Sequence, residues 1–478
     1  MTKWYITNSI PYLNAAPHIG HVLEFVQTDT LARWHRQKGE EVFYLSGTDE
    51  HGIKISRAAQ AAEMPTQQFV DQISEQFQAL QPALNLSYDA FIRTSDQKKH
   101  WPVAQALWER ILTAGDVYKK TYTGLYCVGH EAFVTGKDLV RGECPVHKKK
   151  PEEVSEENWF FRLSKYQQQL EKIIGSDELK IIPETRKNEI LSFILEGLED
   201  VSVSRPRKDL DWGIPFPGDK TQTVYVWAEA LIAYISGYGG IKQWETHPAD
   251  TQVIGKDILR FHATIWPAML LSAKLPLPKQ IFVHGFVTVN GEKISKSLGN
   301  TIDPFELVKK YGTDAVRYYL LREIPAWEDG DYSEAKFKQR YESDLANGLG
   351  NTLSRVTNMI EKFGNGKFIQ AEGVNAYTPA AASAIEIAMR SYRFEAALLA
   401  IFNVIGEIDA EIEKNKPWEM AKEEKFNDIQ KLLSKWGTML LDVSHYLKPF
   451  LPDAAKKIED KLREHNITKA EPLFPRLN

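Results

Sequence analysis

Cysteine is nearly absent, with two residues in 478. A disulfide framework is therefore excluded as the basis of the fold, and stability must come from apolar packing. No apolar run reaches the ~18 residues that a membrane-spanning helix needs, so no span is expected. Low-complexity tracts and internal repeats are missing as well, which excludes solenoids and repeat arrays. Charge of one sign is not in excess: 59 Lys and Arg stand against 64 Asp and Glu, a net charge of −5. That argues against wholesale coating of nucleic acid but leaves room for a local basic face. Lys148-Lys149-Lys150 and Lys336-Phe337-Lys338-Gln339-Arg340 are candidates, with plain solvated surface as the alternative for each. The run Met1-Thr2-Lys3-Trp4-Tyr5-Ile6 enters a strand pattern at once. It has neither the apolar core of a signal peptide nor an Arg/Ser-rich transit segment, so the expected location is cytoplasmic.

What is present is an ordinary globular composition, 43% hydrophobic and 26% charged, in a chain long enough for about three domains. Residues 1–115 alternate strand and helix signals, with strands at 3–8, 42–46 and 90–93 and helices at 20–37, 52–62, 66–83 and 97–113. That alternation predicts βαβ units, a parallel sheet, and ligands at the carboxyl ends of its strands. Residues 116–217 differ: they are richer in Tyr/Thr/Val alternation and turns, hold both cysteines, and read as an inserted domain. The α/β pattern resumes over 218–333, with a strand at Gln252-Val253-Ile254-Gly255, a helix near 259–272, a strand at 281–284 and a helix near 304–321. Residues 334–478 are helical throughout, with apolar-periodic segments at 334–363, 379–390, 393–414, 425–447 and 454–464, which predicts a helical bundle.

Two short motifs carry chemistry. Pro17-His18-Ile19-Gly20-His21 follows the first strand and opens a helix, where backbone N–H groups favour an anion. Lys293-Ile294-Ser295-Lys296-Ser297 puts two lysines and two hydroxyls on a Gly-flanked loop, suited to following phosphates as they separate. Alone, the first could be a helix cap or a pair of metal ligands and the second solvated surface. Together they suit nucleotidyl transfer, in which positioning and charge neutralisation supply most of the rate. A third pattern involves both cysteines: Cys127-Val128-Gly129-His130 and Cys144-Pro145-Val146-His147. Two turns with two ligands each make a closed Cys₂His₂ set of structural-zinc type; a disulfide or a metal-free knuckle are the alternatives.

The two motifs resemble the HIGH and KMSKS signatures of class I aminoacyl-tRNA synthetases. Their flanks are similar to those of methionyl-tRNA synthetases: Thr7-Asn8-Ser9-Ile10-Pro11-Tyr12, Gly47-Thr48-Asp49-Glu50-His51-Gly52, Asp211-Trp212-Gly213-Ile214-Pro215, Val226-Trp227, and Phe282-Val283-His284-Gly285-Phe286-Val287-Thr288-Val289-Asn290-Gly291. The resemblance runs from the first strand to Trp418 and beyond. It implies an α/β fold: a Rossmann-type nucleotide-binding parallel sheet, an inserted connective-peptide domain with a zinc knuckle, and an α-helical bundle that binds the anticodon. The insertion is too short for the large editing domain of the isoleucine, valine and leucine enzymes. The implied activity is ATP-dependent activation of L-methionine and its transfer to tRNA(Met) with a CAU anticodon. Mg²⁺ would accompany ATP, and Zn²⁺ would be structural. The family often has cysteine at the position of His130 and sometimes at that of His147.

By matching motif, His18, His21, Lys293 and Lys296 would be catalytic, and Gly20, Gly255, Asp257 and Ser295 would join them in binding ATP. Ser9, Ile10, Tyr12, Trp227, Ala230, Leu231, Tyr234, Ile258 and His262 would line the methionine pocket. The Ile10 N–H and the Tyr234 hydroxyl would reach the sulfur, and Asp49 would hold the ammonium. Glu229 stands where the family has Asp, which leaves its role open. Asn351, Arg355, Pro417 and Trp418 would read the anticodon, Trp418 by stacking. The chain stops soon after the bundle, without the appended domain that dimerises many relatives, so a monomer is expected. The rivals are another class I enzyme of similar size, such as the cysteine enzyme, which would carry zinc in the amino-acid pocket itself, and an inactive RNA-binding paralogue.

Overall fold

The computed structural model describes residues 2–128, 132–134, 139–145, 148–294, 299–371, 373, 377 and 379–477. They divide into two compact units: Met1–Pro17, Glu40–Gln81 and Ser87–His284 form one; His18–Gly39, Pro82–Leu86 and Gly285–Asn478 form the other. The helix opened by His18 thus groups with the C-terminal residues, whereas sequence order puts it with the first strands.

The first unit is built on a six-stranded parallel sheet. Its order is Ala90–Arg93, Glu41–Thr48, Lys3–Asn8, Thr251–Gly255, Gln280–His284, Lys180–Ile182. The inner strands are buried along nearly their whole length, as in Thr251–Gly255, where every residue is buried; a sheet covered on both faces requires this. The first three expected strands lie within two residues of the predicted limits. The edge strand Lys180–Ile182 falls inside the stretch read as an insertion, yet it pairs with Gln280–His284. Elsewhere the described residues of that stretch form two helices, Gln167–Gly175 and Glu184–Leu195, and strands of two antiparallel sheets. Ala132–Val134, Val117–Cys127, Glu152–Phe161 and Val201–Ser202 form one; Pro215–Phe216, Asp219–Val224 and Ser204–Pro206 form another. The core gathers Trp108, Trp244, Trp266 and Tyr5 with Leu, Ile and Val from the sheet and helices.

In the second unit, Val287–Val289 pairs with Glu292–Lys293 across Asn290-Gly291, and with Gly330–Tyr332 on its other side. Asn290 and Gly291 have φ of 52° and 77°, the left-handed pair that a two-residue hairpin demands. Asp331 holds the turn by accepting from the Gly291 N–H and the Thr288 hydroxyl, both at 2.7 Å. The helix expected near 304–321 is two, Pro304–Tyr311 and Thr313–Arg322, broken at Gly312 with φ of 85°. A helical bundle follows. Its long members are Asn351–Phe363, Phe394–Asn415 and Phe426–Leu447, which bury Val356, Ile360, Leu398, Ile401, Leu433 and Trp436. Among the described residues no helix is long and apolar enough to cross a membrane.

Candidate active site

In the parallel sheet, strand order reverses direction between Lys3–Asn8 and Thr251–Gly255, and ligands bind beyond the carboxyl ends at such a point. Residues expected to bind methionine or ATP follow those ends. Ser9 and Ile10 leave Lys3–Asn8, Asp49 leaves Glu41–Thr48, and Asp257 and Ile258 leave Thr251–Gly255. Asp49 bridges Tyr12; its N–H donates to the Pro11 carbonyl at 2.9 Å, and its carbonyl accepts from the Leu13 N–H at 3.0 Å. Asp49, Ala230, Leu231, Tyr234 and His262 are buried, while Ser9, Ile10, Tyr12, Trp227 and Ile258 are part-exposed. Trp227 stacks on Phe261, ring centroids 4.4 Å apart. Glycine at 255 makes room for its neighbour: a Cβ there would lie 2.8 Å from Asp257 Oδ1 and 3.7 Å from the His284 ring.

His262 sits in a π-helical turn, Phe261–Ile265, a form concentrated at functional sites. Its Nδ1–H donates to the Ile258 carbonyl at 3.0 Å, so Nε2 is the acceptor for the Tyr234 hydroxyl at 2.8 Å. Burial pushes this imidazole down to about 4, so it is neutral. The Tyr234 proton is thereby committed to His262. Its expected donation to a thioether sulfur would have to replace that bond.

Glu229, left open by sequence, receives a role here. Its carboxylate is fully buried and accepts from His51 Nδ1–H and His100 Nε2–H, each at 2.6 Å. Burial works to raise this carboxyl, but the two imidazoles outweigh it and hold the group below the usual range. His100 Nδ1 meets the Ser236 hydroxyl at 2.8 Å. Neither His51 nor His100 was singled out from sequence. His51 lay within a quoted motif, and its partner stands 178 residues away.

In the second unit, His18 is the N-cap of helix Ile19–Gln37. Its Nδ1 accepts from the Gly20 N–H at 3.1 Å, and the His18 N–H donates to His21 Nδ1 at 3.2 Å. This is a capping box made by two imidazoles. Their rings stack at 3.9 Å. Burial pushes His18 down to about 4; burial, then the neighbouring His18, lowers His21 well below its ordinary value. With each Nδ1 accepting, each neutral ring carries its proton on Nε2, a donor suited to a phosphate oxygen. Gly20 keeps the cap tight: a Cβ would lie 3.0 Å from the His18 ring and 3.9 Å from Ile294 Cδ1 of the lysine loop. Beyond that loop, the Ile302 carbonyl accepts from the Ile19 N–H at 3.2 Å. The described flanks of the loop therefore meet the start of the histidine helix. Ser295, Lys296 and the side chain of Lys293 lie outside the described residues.

Cys127 closes strand Val117–Cys127, and Cys144 accepts through its carbonyl from the Lys148 N–H at 2.8 Å in a turn. Both thiols are buried and unbridged, so the disulfide alternative is not realised. Among the described residues no group of three or more potential metal ligands gathers. His130 and His147 lie outside them. In the bundle, Arg355 pairs with Asp409 Oδ1 at 3.1 Å and Glu413 Oε1 at 2.5 Å, both on Phe394–Asn415. That helix ends at Lys416, in the left-handed region, and Pro417–Lys422 begins. Trp418 there remains 38% exposed, and Asn351 is exposed at the head of its helix.

The family described as tRNA synthetases class I (M) matches residues 4–153 and 137–357. The methionine–tRNA ligase of Brucella suis biovar 1 is 41% identical over 96% of this chain and 92% of its own length. That of Thermotoga maritima is 40% identical over 100% and 80%. A solved structure of Mycobacterium tuberculosis methionyl-tRNA synthetase in complex with methionyl-adenylate superposes with a TM-score of 0.91 at 36% identity, covering 100% of both chains. The match to the family over most of the chain, and to these relatives over nearly all of it, means that this chain belongs to the methionyl-tRNA synthetases of class I.

Proposed function

We propose that the chain activates L-methionine with ATP and transfers it to a tRNA(Met) with a CAU anticodon. The observation that carries this reading is the buried Asp49, bridged to Tyr12 on the segments that leave the carboxyl ends of the sheet, as Ser9, Ile10 and Ile258 do. An anion beside an aromatic and aliphatic wall suits an amino acid with a cationic amine and an apolar, polarizable side chain. The methionine carboxylate attacks the α-phosphorus of ATP in line, the bond to the β-phosphate oxygen breaks, and pyrophosphate leaves. A hydroxyl of the tRNA's terminal adenosine then attacks the aminoacyl carbonyl, and AMP departs.

In this reading His18 and His21 donate Nε2–H to phosphate oxygens without adding charge, while Lys293 and Lys296 neutralise the departing pyrophosphate. Asp257 accepts from a ribose hydroxyl. Mg²⁺ supplies further charge neutralisation when bound and is held by phosphates and water. Asn351, Arg355 and Trp418 read anticodon bases, with Arg355 exchanging Asp409 and Glu413 for base edges. Cys127 and Cys144 would hold a structural zinc, with His130 and His147, outside the described residues, as the further ligands; buried thiols suit that use. Cys144→Ser is expected to lower zinc content and the unfolding temperature together. Fully folded, chelator-washed protein without zinc by elemental analysis would end this part of the reading.

Pyrophosphate exchange tests the whole. Exchange that depends on methionine, followed by charging of a CAU-anticodon tRNA, is the expected result. Dependence on cysteine would favour the cysteine enzyme, and no exchange with any amino acid would favour an inactive paralogue.

A further inference from the structure

A carboxylate buried in a protein interior destabilises the fold unless charge and hydrogen bonds offset its lost hydration. Glu229 is such a group, and the residues it engages are specific. His51 stands two positions after Asp49, and Glu229 two positions after Trp227. The segment Asp49–His51 is held at several points. Asp49 is fixed through its backbone to Pro11 and Leu13. The Glu50 carboxylate takes a bidentate pair from Arg93 at 2.7 and 2.8 Å, and its carbonyl accepts from Trp212 Nε1–H at 2.5 Å. The His51 ring packs edge-on to Trp101 and Trp212, with centroids 5.9 and 5.5 Å away. Its Nδ1–H then reaches Glu229 on the short helix Val226–Ala230. The other carboxylate oxygen takes His100, the N-cap residue of helix Trp101–Thr113. One carboxylate thus ties three elements together, two of which carry expected methionine contacts.

We propose that Glu229 is a positioning residue of the amino-acid pocket, setting the distance between the anion that holds the substrate's ammonium, Asp49, and the wall that meets its side chain, Trp227 and Ala230. The inference rests on the reading of these residues as the methionine pocket. A carboxylate is required because both partners donate. An amide of the same shape has one oxygen and one NH₂, so one imidazole would lose its acceptor. The longer glutamate in place of the family's aspartate carries the carboxylate about one C–C bond, ~1.5 Å, further from the backbone. Binding geometry is sensitive to displacements of that size.

The test is methionine-dependent pyrophosphate exchange by the full chain, with KM for methionine, KM for ATP and kcat measured separately. Glu229→Gln is expected to raise KM for methionine roughly tenfold, the size of one charge-assisted contact misplaced, with KM for ATP and kcat within about twofold. His51→Asn puts an amide N–H where Nδ1–H stood and is expected to keep KM for methionine within about twofold, whereas His51→Ala raises it as Glu229→Gln does. An unchanged KM in Glu229→Gln, or a proportionate loss of kcat and both KM values, overturns the proposal. If Glu229→Gln does not fold, equal methionine KM values for His51→Ala and His51→Asn overturn it. Asp49→Ala and Trp227→Ala, run alongside, separate the two levels. If neither raises KM for methionine, the pocket reading itself fails. If both do while the Glu229 and His51 variants do not, the positioning role alone fails.

Discussion

A histidine can cap a helix or donate to a phosphate; His18 and His21 use Nδ1 in the cap, and the donation proposed for them would use Nε2. The two roles can be separated. His21→Asn offers an amide oxygen where Nδ1 accepts from the His18 N–H, but has nothing at the place of Nε2. Its unfolding temperature should stay near that of the unmodified protein, while the exchange rate falls about 10²-fold, the loss typical of one oriented donor. An unchanged rate would remove His21 from the reaction. Burial also ties these rings to pH. His18 and His262 ordinarily titrate at 6.5 but are held to about 4 in the fold. The unfolded chain therefore binds more protons between those values, and stability is lost as pH falls through that window. Asp314, raised by burial to about 6 from 3.8, acts in reverse: its contribution is lost as pH rises through that range. With His18, His21 and His262 all lowered against one raised carboxyl, the unfolding temperature should drop between pH 7 and pH 5; a flat profile by calorimetry would contradict this. Sequence carried the identity of these histidines and their place at a helix start. It could not carry the tautomers, which depend on backbone N–H groups brought close by the turn. Nor could it carry the Glu229 network, whose partners lie 178 and 129 residues away.

Among the elements, long ones with strong periodicity were legible to within a few residues, as in Ile19–Gln37, Phe394–Asn415 and Phe426–Leu447. Short ones were not. Lys180–Ile182 has three residues, too few to show alternation, and only its neighbour in the sheet makes it a strand. The hairpin that leads into the lysine loop was readable from Asn290-Gly291, the strongest short-range turn signal, but a Gly-flanked loop was all that the sequence pattern was taken to mean. Helix Ile19–Gln37 is tied into its unit by a buried charge as well as by apolar residues such as Val22, Phe25 and Leu31. Arg317, fully buried, reaches Asp29 of that helix at 2.8 Å and donates to the carbonyls of Leu84, Pro449 and Phe450. Arg317→Met would take one guanidinium from the buried Asp29 carboxylate, which keeps Arg33 at 2.7 Å, and release three carbonyls. Loss of ~3–5 kcal/mol is expected, read as a shifted denaturation midpoint in urea. A shift below ~1 kcal/mol would mean that the pair merely breaks even with an apolar substitute.

For the whole molecule, the expected roles distribute unevenly over the two units. Anticodon recognition is the role proposed for the helical bundle, where Trp418 keeps an exposed indole beside the helix break at Lys416. Trp418→Ala should weaken tRNA binding by about 1–3 kcal/mol and leave methionine-dependent pyrophosphate exchange untouched. Wild-type charging efficiency with a CAU-anticodon tRNA would rule out stacking at this ring. The succession of sheet, insertion and bundle could be read along the chain from changes in periodicity. The grouping of residues 18–39 with 285–478 could not, because it depends on contacts such as Asp29 with Arg317 that no local pattern records. One consequence concerns how such a protein can change. Every residue assigned to methionine, from Ser9 to His262, belongs to one unit, and His18, Gly20, His21 and the lysine loop belong to the other. On the proposed roles, appetite for a longer or branched thioether could be bred into the first by substitutions around Trp227 and Tyr234, while the histidines and lysines proposed to meet the triphosphate stay unedited. Diversification of substrate and conservation of reaction would then be separate heritable traits.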